Sequence, residues 1–146
     1  MSNLQESTKT IVYVEDDGHD AGFHMLVPDV LSDDGHEVVI KKTLAEALGH
    51  IGSIAAGEVE LPDAFLLDYS LDPGDPTATG DVVHQAIREQ LGDDIPVIGF
   101  SSNAWAGTAG PLYRDVTKDG LFELPEVVAG LPAHTAVGLR NQMTLQ

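Results

Sequence analysis

A chain of 146 residues with 42% hydrophobic side chains can bury one sizeable core but not two, and its composition is that of a folded protein rather than a disordered one. Its 24 acidic residues against 7 basic ones leave a net charge of −17, which repels nucleic-acid phosphates and anionic lipid and argues against direct binding to either. The absence of cysteine excludes a disulfide framework and a thiolate metal site, and no apolar run is long enough to span a bilayer.

Residues 1–9 are polar, lack a signal-peptide core and read as a flexible leader, so a cytoplasmic location is expected. A single domain is expected over residues 10–142. The β-branched and aromatic run 10–14 predicts a first strand, which delivers Glu15 and Asp16 at its carboxyl end. Phe23, Leu26, Val27, Val30 and Leu31 then recur at helical spacing, and Pro28 should kink that helix without ending it. Asp33, Asp34 and Gly35 stop it, and residues 37–40 make a second strand.

Thr43 stands three residues before Glu46, the spacing of a capping box, and Leu44, Leu48 and Ile51 give the next helix its buried side. The most informative stretch is 63–71. Its four consecutive apolar residues, bounded by turn formers, read as a fully buried central strand, and the strand ends on Asp68. After a long loop, Asp81 opens a helix that Gly92 closes. A fourth strand over 95–100 ends at Ser101, with Pro96 tolerated at its start. Residues 104–110 carry two glycines and predict one turn or an irregular loop where a helix would be due. A fifth strand around 112–117 delivers Lys118, the one lysine after residue 42. A last helix from Pro125 through Leu139 should be interrupted at Pro132.

Strand–helix alternation of this kind predicts an α/β fold, a doubly wound five-stranded parallel sheet with helices on both faces and the fourth helix short or degenerate. The carboxyl ends of such strands share one edge, where open sheets place their chemistry. Glu15, Asp16, Asp68, Ser101 and Lys118 therefore converge although far apart in sequence. Each alone has a plainer reading, as solvated surface or a strand-end cap, and only their joint order after successive strands carries weight.

In that order the chain resembles a response-regulator receiver domain of two-component signalling, over nearly its whole length. The resemblance implies a flavodoxin-like fold, Asp68 as phospho-acceptor, Ser101 as the hydroxyl residue and Lys118 as the lysine. It also implies one Mg²⁺ held by Asp16, Asp68 and the backbone carbonyl of Ser70, with Glu15 acting through a water. The implied role is that of a stand-alone switch that receives phosphate from a histidine kinase or histidine phosphotransfer protein, dephosphorylates itself and acts on a downstream protein. The six histidines offer no pair at helical metal spacing and read as surface or packing residues, and a histidine that donates phosphate is expected on the partner. On this reading Ser101 bonds phosphate only once it arrives.

Three departures stand out. The 68–80 loop is long, Lys118 is followed by Asp119 rather than proline, which predicts a trans bond, and the usual aromatic switch position is Asp115. They motivate an alternative, a degenerate receiver-like interaction module that works without phosphorylation. A conventional phosphohydrolase is disfavoured because Ser70 stands where a second carboxylate would serve as acid and base.

Overall fold

The computed structural model describes residues 9–16, 22–72 and 74–131. Five strands, β1 (Thr10–Val14), β2 (Glu37–Lys41), β3 (Ala64–Leu67), β4 (Val97–Ser101) and β5 (Arg114–Thr117), pair in parallel in the order β2-β1-β3-β4-β5. The helices are α1 (Phe23–Ser32), α2 (Leu44–Ala55), α3 (Gly80–Leu91) and α4 (Leu124–Ala129), the last entered through a 3-10 segment at Lys118–Glu123. The predicted fold class is the observed one. Between Ser101 and β5 the chain runs without a helix, as the paired glycines of 104–110 predict.

Alternation along the strands splits the core into two layers, because successive side chains point to opposite faces. Ile11, Tyr13, Leu66 and Phe100 pack with Val27 and Leu31 of α1 and with Leu124, Val127 and Val128 of α4. Val12, Val14, Phe65, Leu67 and Val97 pack on the other face with Ala47 and Ile51 of α2 and Val83 and Ile87 of α3. All four residues of β3 are buried, as its unbroken apolar run requires. Each fully buried Leu, Ile or Phe contributes about 1.5–3 kcal/mol.

Local details differ from expectation in instructive ways. Helix α1 continues past Pro28 to Ser32, as expected, and Gly35 takes φ +83° just beyond it. Thr43 Oγ1 accepts from Glu46 N at 3.0 Å, but Glu46 Oε1 reaches back to Lys42 N rather than to the Thr43 amide. Helix α3 begins at Gly80, one residue before Asp81, whose carboxylate accepts the Ala109 amide at 2.9 Å. The 68–80 loop folds back as a small antiparallel bridge, Gly80 N to Tyr69 O at 2.6 Å and Leu71 N to Ala78 O at 2.9 Å. Pro125 lies in the first turn of α4, whereas Pro132 and Leu139 lie outside the described residues. Lys9 is buried, its amide donating to His36 Nδ1. Among the described residues no helix is long and apolar enough to cross a membrane.

Candidate functional site

The parallel register builds the site. Val14 lies opposite Leu67, so Glu15 and Asp68 leave adjacent strands side by side, and Asp68 N extends the ladder to Val14 O at 3.0 Å. On the far side Ser101 pairs with Thr117, which places Lys118 one residue beyond that level. Lys118 crosses to the two carboxylates: its Nζ lies 2.7 Å from Glu15 Oε2 and 3.3 Å from Asp68 Oδ2. The peptide bond after Lys118 is trans, as predicted, and the lysine still reaches the site.

This is a buried cluster. Glu15 is 0% exposed, Asp68 7% and Lys118 9%, so the ions interact at low dielectric and their desolvation is large. Burial raises the Asp68 carboxyl above its ordinary value, opposed by Lys118, by the Ser101 hydroxyl and by the Tyr69 amide. Burial also lifts Glu15 from 4.5 to about 7, with Lys118 and the Tyr13 hydroxyl pulling it back and Asp68 pushing it up. The Phe23 ring covers the ammonium, its centroid 5.0 Å from Nζ, a cation–π distance.

The wall on the β4 side carries Ser101 and the segment that follows it. Ser101 Oγ accepts a hydrogen bond from Tyr69 N at 2.8 Å, and its hydroxyl also bonds the Asp68 carboxylate. Asp68, Tyr69, Ser70 and residues 101–104 line an open cleft of about 340 Å³. Tyr69 meets Trp105 edge to face, 5.2 Å between centroids. Three glycines make room for the indole: a Cβ on Gly80, Gly99 or Gly107 would meet it at 2.5, 3.0 and 2.5 Å. Asp115, at the expected aromatic position, accepts the Trp105 amide at 2.9 Å.

The donors suit a hard divalent cation in kind. Asp16 Oδ2 is buried with no hydrogen-bond partner, and the bridge to Thr79 runs through the groups flanking Ser70, leaving the Ser70 carbonyl out of it. Two carboxylates, a carbonyl and waters are what Mg²⁺ ordinarily takes. Among the described residues no three carboxylates or histidines are grouped to hold a metal, and both oxygens of Glu15 are engaged, by Tyr13 and by Lys118.

Tyr13, Phe23, Tyr69 and Trp105 also belong to the site's surroundings, and the sequence pattern does not mark them as such. Tyr13 and Phe23 read as ordinary core formers in sequence. The one available signal was a phenol at a position facing the core, since a buried hydroxyl needs a partner.

No protein-family model matches the chain, and no curated protein matches it in sequence. Solved structures do match. The N-terminal domain of a response regulator/sensory box/GGDEF protein from Carboxydothermus hydrogenoformans is 21% identical, over 93% of this chain and 99% of its own, with a TM-score of 0.60. The receiver domain of the sensor histidine kinase PA1611 of Pseudomonas aeruginosa, which has a magnesium ion in its active-site cleft, is 22% identical over 90% and 98%, with a TM-score of 0.65. The phosphorylated cyanobacterial phytochrome response regulator RcpA is 25% identical over 84% and 90%, with a TM-score of 0.59. The chain has the fold of response-regulator receiver domains.

Proposed function

We propose that the chain is a phosphorylation-controlled signalling switch in which Asp68 accepts a phosphoryl group from a phosphohistidine on a histidine kinase or histidine phosphotransfer protein. The observation that carries this reading is the buried contact of Lys118 Nζ with Asp68 Oδ2, made across 50 residues of sequence at the end of the central strand. An Asp68 carboxylate oxygen attacks phosphorus, the P–N bond to the imidazole breaks, and its electron pair stays on the ring nitrogen. Charge repulsion between two anions is the main barrier, so catalysis is neutralisation and alignment. Lys118 moves its ammonium from the carboxylates onto a phosphoryl oxygen, and the Ser101 O–H turns from Asp68 to donate to another while its oxygen still accepts the Tyr69 amide. A Mg²⁺ ion held by Asp16, Asp68 and the Ser70 carbonyl would supply further positive charge to the phosphoryl oxygens. The acyl phosphate is later hydrolysed, resetting the switch. The setting is the cytoplasm, with a downstream protein as the reader.

The test uses Mg²⁺ and acetyl phosphate, followed by the mass of the intact protein. The wild type is expected to gain one phosphoryl group and Asp68→Asn none. A gain that survives Asp68→Asn refutes the assignment. A second reading, an interaction module that works without phosphate, is favoured by Asp115, which stands at the expected aromatic switch position and is tied to the Trp105 amide. It predicts no mass gain and partner binding that is unchanged in Asp68→Asn.

A further inference from the structure

The phenol of Tyr13 is in surplus to packing. Its ring is fully buried and meets Phe100 at 6.1 Å and His24 at 6.2 Å between centroids, contacts a phenylalanine would make as well. The hydroxyl would be a burden in that apolar layer if nothing received it. Two residues on, and hence on the same face of the extended chain, Glu15 receives it: the Tyr13 O–H donates to Glu15 Oε1. The other Glu15 oxygen, Oε2, lies 2.7 Å from Lys118 Nζ, nearer than Asp68 Oδ2 at 3.3 Å. Backbone contacts fix the start of this chain of bonds, because Glu15 N donates to Lys41 O and Glu15 O bonds His24 Nε2 at 3.0 Å.

We infer that Tyr13 is a positioning residue for Lys118: its hydroxyl holds Glu15 turned inward, and Glu15 in turn parks the ammonium beside Asp68. The argument is geometric. A glutamate has three side-chain torsions, and with one oxygen tied to the phenol only its other oxygen faces the lysine. Without that tie Glu15 loses the constraint that aims Oε2. The ammonium then loses the carboxylate oxygen that lies nearest it among the described contacts, and its position beside Asp68 spreads. Lys118 would no longer start within reach of the incoming phosphoryl oxygen.

The functional half of this inference rests on the phosphoryl-acceptor reading, and the structural half does not. Melting temperatures of the metal-free wild type, Tyr13→Phe, Lys118→Met and the double variant test the structural half. Tyr13→Phe should lower Tm by about 5 °C, the loss of one buried hydrogen bond to a charged group. In the Lys118→Met background the same change should cost less than half as much, because the two groups act through one carboxylate. Additive Tm shifts overturn the inference. For the functional half, Tyr13→Phe should slow labelling by acetyl phosphate about tenfold. It should slow it no further in Glu15→Gln. An unchanged labelling rate in Tyr13→Phe overturns the positioning role. A wild type that takes no phosphate sinks the acceptor reading, while the melting cycle still decides on Tyr13.

Discussion

Replacing Glu15 by glutamine should change how stability depends on pH, and the direction follows from burial. The Glu15 carboxyl titrates near 7 in the folded protein against 4.5 when solvated. Between those values the folded chain holds a proton that the unfolded chain has released. Stability from this group is therefore fully present below 4.5 and is lost as pH rises to about 7. The gap converts to about 3 kcal/mol at 1.36 kcal/mol per pH unit. The assay is urea unfolding of wild type and Glu15→Gln with chelator present, at pH 5 and pH 8. Relative to the variant, the wild type should lose about 3 kcal/mol between the two, and other titrating groups common to both cancel in the difference. Parallel pH profiles would refute the argument, and with it the claim that Glu15 is held buried against Asp68.

Other positions give independent checks. In Gly80→Ala the new Cβ would collide with the Asp68 carbonyl oxygen and stand 2.5 Å from the Trp105 ring. Backbone cannot yield there, so the variant should lose about 1–3 kcal/mol in urea unfolding and shift Trp105 fluorescence. Thr43→Ala removes the cap on α2 and should cost about 1 kcal/mol, with activity unchanged. His84 is fully buried with both ring nitrogens lacking a hydrogen-bond partner, and burial lowers its basicity below the ordinary 6.5. Its stabilising neutrality is present above 6.5 and lost as pH falls, so His84→Leu should raise stability by about 1–2 kcal/mol at pH 7 and by more at pH 5.

The fold was legible because its signals are local. An unbroken apolar run fixes β3 as central, and Gly35 and Gly92 end helices where positive φ is required. Asp68 and Lys118 were legible as charges placed where strands end. What stayed hidden depends on rotamers and register. The turn of Glu15 toward Lys118 is a choice among side-chain torsions that only the packed Tyr13 and Phe23 rings decide. The engagement of Ser101 by the Tyr69 amide depends on how the 68–80 loop folds back onto α3. Asp81 likewise reads as a helix opener, yet it serves the 104–110 segment because that segment needs an acceptor.

The contact between Lys118 and Glu15 spans 103 residues and belongs to the edge strand of the sheet. Until β5 docks, the two neighbouring carboxylates have no counter-ion from Lys118, and closing so long a chain loop costs entropy before any reward arrives. Completing the sheet and neutralising its acidic rim are thus a single event. A substitution that loosens β5, however distant from Asp68, would therefore reach the carboxylate cluster through the loss of Lys118.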